Sequence, residues 1–147
     1  MSFHNNQFSA ILAGNVPASG GGTANFLRAD GIWAAPPSGG GSGVTDITYA
    51  ATININLTTI TTPVARIALT GPTTINFTGG NDGQKLTLEL VQDATGGRAA
   101  SLGTGVGYGA DITSYSGNTT ASKRDILGFQ YNSSLSKALL IAVAKGY

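Results

Sequence analysis

The 147-residue chain contains no cysteine. That excludes disulfides, thiolate metal sites and cysteine nucleophiles, and leaves the redox compartment open. Charge is scarce as well. Charged residues make up 10% of the chain and the net charge is +1, against about 25% charged residues in an ordinary soluble domain. So weak a field does not point to nucleic acid or to an anionic membrane surface. The basic residues are scattered, with only Lys123 and Arg124 adjacent in the domain that follows residue 43, so no basic stripe with interleaved aromatics forms. The longest apolar run, ALLIAVA at 138–144, is too short to span a bilayer and reads as a buried strand. The opening MSFHNNQFSA lacks a basic segment ahead of an apolar one and does not read as a signal peptide. With so little charge, the surface must be covered by Thr, Ser, Asn and Gly or be buried against other chains.

Residues for catalysis are equally sparse. The single histidine, His4, lies near the terminus and cannot anchor a Ser-His-Asp triad. The single glutamate, Glu89, sits on the outward side of a candidate strand and reads as a solvated surface charge. No spacing pairs it with Asp93, Asp111 or Asp125 for glycoside hydrolysis. GGNDGQK at 79–85 lacks the alternating oxygen ligands of a calcium loop, and Asn81-Asp82-Gly83 reads as a hairpin turn. GTGVGYGA at 103–110 formally matches G-x-G-x-x-A, but no βαβ unit surrounds it. A glycine-rich loop or a close backbone approach is the reading it supports. No catalytic, cofactor or metal site is expected, and the chain is not expected to be an enzyme.

Two regions differ in kind. Residues 1–43 carry short apolar islands between PASGGG and PPSGGGSG, and read as an extended Gly-rich arm for attachment. Phe8, Ile11 and Leu12 have helical spacing there. Residues 44–147 read as all-β. Nine candidate strands are expected, at 44–49, 52–57, 63–69, 73–77, 84–91, 98–102, 110–115, 124–131 and 137–144. Alternation places Ile53, Ile55 and Leu57 on one face, and turns Leu86, Leu88 and Leu90 inward with Lys85, Thr87 and Glu89 outward. That many short strands predict a β-sandwich knob, jelly-roll-like, with a small barrel as the alternative. VARIALTG and LLIAVA show little polar alternation, which implies cover on both faces and hints at a neighbouring subunit.

The segment GGTANFLRADGIWAAP resembles a short motif of bacteriophage tail-fibre and other virion surface proteins. In that motif a Gly/Thr-rich lead-in runs into Phe-Leu-Arg-x-Asp-Gly-x-Trp. Phe26, Leu27, Arg28, Asp30, Gly31, Trp33 and Pro36 match it, and Ile32 stands where Thr or Ser is commoner. Downstream, ATININL, LTGPTTINF, GQKLTLELVQDATGG and SKRDILGFQY also resemble phage fibre domains. The resemblance implies a β-sandwich knob, a homotrimer and a place on a phage particle assembled in the host cytoplasm.

Of the two roles it suggests, a capsid decoration or cement protein fits a short chain that opens on Met and has little room for a coiled-coil or β-helical shaft. Phe8, Ile11, Leu12, Phe26, Leu27, Arg28, Asp30 and Trp33 would then anchor the arm to the major capsid protein or other virion proteins. Phe26 and Trp33 each offer an area of about 150–250 Å² to bury. The alternative for Trp33 is to fold back onto the chain's own knob. The alternative role is a small tail or neck fibre that recognises a host surface glycan through loops 103–110 and 115–122, with Tyr108, Tyr115 and Asn118 as the candidate contacts.

Overall fold

The computed structural model describes residues 43–147 and two short strands before them, β1 (Phe26–Leu27) and β2 (Trp33–Ala34). The chain divides into two units, Met1–Gly39 and Gly40–Tyr147. The second unit contains β3 (Val44–Ile47), β4 (Thr52–Asn56), β5 (Val64–Leu69), β6 (Thr73–Thr78), β7 (Lys85–Gln92), β8 (Ala100–Leu102), β9 (Val106–Gly107), β10 (Arg124–Asn132) and β11 (Lys137–Lys145). A single 3-10 turn, Leu57–Thr59, follows β4, and the Asn56 carboxamide caps it by accepting the Thr58 N–H at 3.1 Å.

The fold is all-β, as expected, and the strands of the second unit form two sheets. One has the order β3-β5-β7-β10-β11-β9 and the other β4-β6-β8. Their inner faces share one apolar core, in which Ile67, Ile75, Leu88 and Leu127 are fully buried. Phe77 of one sheet and Phe129 of the other meet with ring centroids 4.6 Å apart, so the sheets pack as a sandwich.

The connectivity inside that sandwich is a parallel coil and not the antiparallel keys of a jelly roll. Successive strands alternate between the sheets: β3, β5 and β7 pair in parallel in one, and β4, β6 and β8 in parallel in the other. The chain therefore winds three rungs, and like residues stack. Ile47 lies beside Ile67 and Ile67 beside Leu90; Ile53 lies beside Ile75 and Ile75 beside Leu102. A parallel pair needs a crossover, and here the strand of the opposite sheet supplies it. Such a coil is compact, because a rung needs only two short strands and two corners. After β8 the pattern changes. β10 pairs antiparallel with β7, β11 antiparallel with β10, and β9 closes the edge parallel to β11.

Eight of the nine expected strands form, within a residue or two at most ends. The segment 110–115 does not; β9 forms just before it. GGNDG is also corrected. It joins β6 to β7, which lie in different sheets, so it is a corner and not a hairpin turn. Its backbone demand is the same in either role: Gly79, Gly80 and Gly83 all have positive φ. The Asp82 carboxylate accepts the N–H and hydroxyl of Ser133 (2.9 and 3.1 Å), which joins this corner to the β10–β11 turn.

Candidate functional site

The two ends of the motif, Phe26–Leu27 and Trp33–Ala34, pair as strands. β1 and β2 are antiparallel, with Phe26 opposite Ala34 and Leu27 opposite Trp33. Three expected anchors, Phe26, Leu27 and Trp33, are brought together on this strand pair. Phe8, Ile11, Leu12, Arg28 and Asp30 lie outside the described residues.

The expected host-facing loop residues separate. Tyr108 is exposed, and its partial burial raises the phenol somewhat above its ordinary pKa. Tyr115 points the other way. It is 7% exposed, and its hydroxyl donates to Asp125 Oδ2 at 2.8 Å. Burial first, and then this hydrogen bond, push its phenol far above the usual tyrosine value. The Asn118 N–H donates to the same carboxylate oxygen at 2.7 Å, and the Gly146 N–H donates to Asp125 Oδ1 at 3.0 Å. Tyr115 is therefore corrected from a host-facing contact to part of an internal polar knot, which Asn118 joins through its backbone N–H while its carboxamide oxygen accepts the Thr120 N–H at 2.8 Å in an exposed turn. The cause is Asp125, whose side chain enters the core beside Leu127 and Phe129. A buried carboxylate is retained only with donors around it. The alternation of RDILGFQY carries this signal, because it puts Asp125 on the same face as Leu127, Phe129 and Tyr131.

The neighbouring QDATGG segment is spent in the same way. Gln92, buried on β7, donates to the carbonyls of Arg98 and Asn118 (2.7 and 2.8 Å) and accepts the Arg98 N–H at 3.1 Å. Asp93 accepts the N–H groups of Thr95 and Gly96 on one oxygen and a two-pronged Arg98 guanidinium on the other, at 2.9 and 3.1 Å. Arg98 first, then the Gly96 N–H, hold this carboxyl below its ordinary range.

Glu89 lies on the outer face of β7 as expected, but it is not a solvated charge. Its side chain is 16% exposed, accepts Arg66 Nε at 2.8 Å and lies 3.5 Å from Arg124 Nη1. Arg66 also reaches Asp46, at 4.0 Å. Glu89 and Asp125 belong to opposite faces of one sheet, so they do not form an acid pair across a shared cleft.

The glycine-rich loop at 103–110 makes the close backbone approach expected of it. A Cβ on Gly105 would strike the Phe77 carbonyl oxygen, and Gly105 has φ 76°. On the three-stranded sheet, an open groove of about 530 Å³ is lined by hydroxyls of Thr74, Ser101 and Ser116 together with Pro72, Ala99 and Tyr115. The outer side of that sheet is a polar ladder in which Asn76 Nδ2 donates to Asn54 Oδ1 at 2.9 Å.

No protein-family model matches the chain, and no curated protein matches it. Seven solved chains do. One, described as the structure of a chaperone–substrate complex, is 15% identical with a TM-score of 0.39. The match covers 82% of this chain and 20% of that one, so the chain spans a fifth of that protein's length. A likeness at that level carries no inference about function.

Proposed function

We propose that the chain is a structural protein of a bacteriophage particle: a trimeric capsid decoration protein, held to the shell by its N-terminal unit and projecting the β-sandwich. The observation that carries this reading is the separation of labour along the chain. The two ends of the Phe-Leu-Arg-x-Asp-Gly-x-Trp motif pair as strands in one unit, and a sandwich with its own core forms the other. The polar residues that could have formed a reactive cluster, Asp93, Asp125 and Gln92, are instead tied into hydrogen bonds that hold loops in place. That suits a rigid projecting module. A protein that binds only the assembled shell stabilises it by linkage.

Deleting residues 1–39 tests the anchoring. The truncated protein should keep its thermal transition and lose binding to particles that lack the native protein; undiminished binding would sink the reading. Copy number separates head from tail, since hundreds of copies per particle support decoration and a handful do not. A second reading, a small tail or neck fibre that recognises a host glycan, is favoured by one observation: Tyr108 stands exposed in the 103–110 loop. Its test is whether Tyr108→Ala abolishes binding to host cells.

A further inference from the structure

The outer side of the three-stranded sheet carries a row of hydroxyls. Thr52 lies beside Thr74, Thr74 beside Ser101, and Ser101 bridges to Ser116. Neighbouring strands lie about 4.8 Å apart, so like groups recur at even steps across the sheet. The groove of about 530 Å³ opens along this row, within the roughly 300–1,000 Å³ usual for ligand sites. Exposed Ala51, Pro72 and Ala99 give it apolar walls, and Thr74, Ser101 and Ser116 give it hydroxyls. Its buried lining is tied down. Thr73 Oγ1 donates to the Ala50 carbonyl at 2.7 Å, and Tyr115 is held by Asp125. The shape is therefore formed before any ligand arrives.

The lining carries no charged side chain. The charges nearby are already engaged. Lys145 Nζ donates to the Ser116 carbonyl at 2.6 Å and lies 5.2 Å from the centre of the Tyr115 ring. Arg98, next to Ala99, is paired with Asp93 at 2.9 Å. Asp125 is buried and accepts from Tyr115, Asn118 and Gly146. An anionic ligand finds little to complement it here. A hydroxyl both donates and accepts, so hydroxyls between small apolar walls match a ligand built the same way, with a C–H face and a rim of hydroxyls. An extended peptide fits less well, because the outer edge of β8 is already bridged by Ser116 and the exposed walls carry no aromatic ring.

We infer that this groove binds an uncharged saccharide, with the apolar face of a sugar against Ala51, Pro72 and Ala99 and its hydroxyls on Thr74, Ser101 and Ser116. The inference rests on the second reading above for the class of ligand, and deepens it by placing that ligand in the groove, away from Tyr108, and by fixing its charge. Attachment to a particle does not depend on it.

A glycan array of neutral, sialylated and sulfated saccharides, probed with the full chain, tests it. Binding should be confined to neutral saccharides. In titration calorimetry with the strongest of them, Ser101→Ala and Ser116→Ala should each bind at least about fivefold more weakly, and Tyr108→Ala should bind as the wild type does. Both serines are exposed, so both variants should keep the wild-type melting point. Binding lost in Tyr108→Ala and kept in both serine variants would overturn the groove and leave the second reading standing. Preference for sialylated or sulfated saccharides would overturn it as well. An array without a neutral ligand would remove the groove whatever the host-cell assay of Tyr108→Ala gives.

Discussion

The Tyr115 hydroxyl donates to the Asp125 carboxylate at 2.8 Å, and this bond joins the 108–123 loop to the first turn of the β10–β11 ladder. The same carboxylate holds Asn118 and, through Gly146, the end of the chain. One buried acid therefore ties the 115–118 loop and the end of the chain to β10.

Removing that acid should be costly. Asp125→Ala leaves the Asn118 N–H and the Tyr115 phenol without their acceptor, while the Gly146 N–H keeps the Arg124 carbonyl at 3.0 Å. At about 1–3 kcal/mol for each unsatisfied buried group, the loss should be at least about 2 kcal/mol. Tyr115→Phe removes one donor and should lose about 1–3 kcal/mol. Thermal unfolding followed by circular dichroism should rank wild type, Tyr115→Phe and Asp125→Ala in that order. Equal midpoints would show that the knot contributes nothing.

Alkaline pH should act on the same pair. The folded Tyr115 phenol is held above its ordinary value, so the folded state keeps a proton that the unfolded state releases. This contribution is fully present below pH 10, the unfolded value, and falls away as pH rises through and beyond it. In an absorbance titration Tyr115 should be the last of the five tyrosines to ionise, and only with unfolding. Tyr115→Phe should flatten the fall in stability above that pH.

Asp93 should act in the acid range. Arg98 and the Gly96 N–H lower its folded value, so its contribution is present above the unfolded carboxylate value and drains as pH falls through the folded one. Between neutral pH and about pH 3, the melting point of Asp93→Asn should fall less than that of the wild type. A parallel fall in both proteins would mean that the ion pair with Arg98 is not linked to folding.

Two glycines in one loop should behave differently. Gly105→Ala puts a Cβ onto the Phe77 carbonyl at a left-handed backbone position. Overpacking and the unfavourable φ together should cost about 2–5 kcal/mol. Gly109 has nothing within 4 Å of a built Cβ. Gly109→Ala should therefore melt within a degree or two of wild type, at roughly 2–8 °C per kcal/mol. Denaturant titration of the two variants side by side decides the point.

Part of this was legible in the residues. The pleat forces alternate side chains to opposite faces, so TININL and QKLTLELV announced Ile53, Ile55, Leu86, Leu88 and Leu90 as core, and all five are buried. The 110–115 segment has strand-like composition, but Tyr115 is drawn inward by Asp125 and the segment is left without a ladder. The stacked Thr52–Thr74–Ser101 and Asn54–Asn76 pairs were the available sign of a coil, and they are visible only once the rungs are aligned.

The sequence by itself determined which residues face inward and where the chain turns, because pleat geometry and glycine's access to positive φ are local properties. Tertiary structure alone decided which strand lies beside which. Alternation is satisfied equally well by a neighbour in the same sheet or by one a full rung away. Here the shared Phe77–Phe129 core and the inward acid at Asp125 complete the choice, by joining a three-rung parallel coil to an antiparallel closing hairpin.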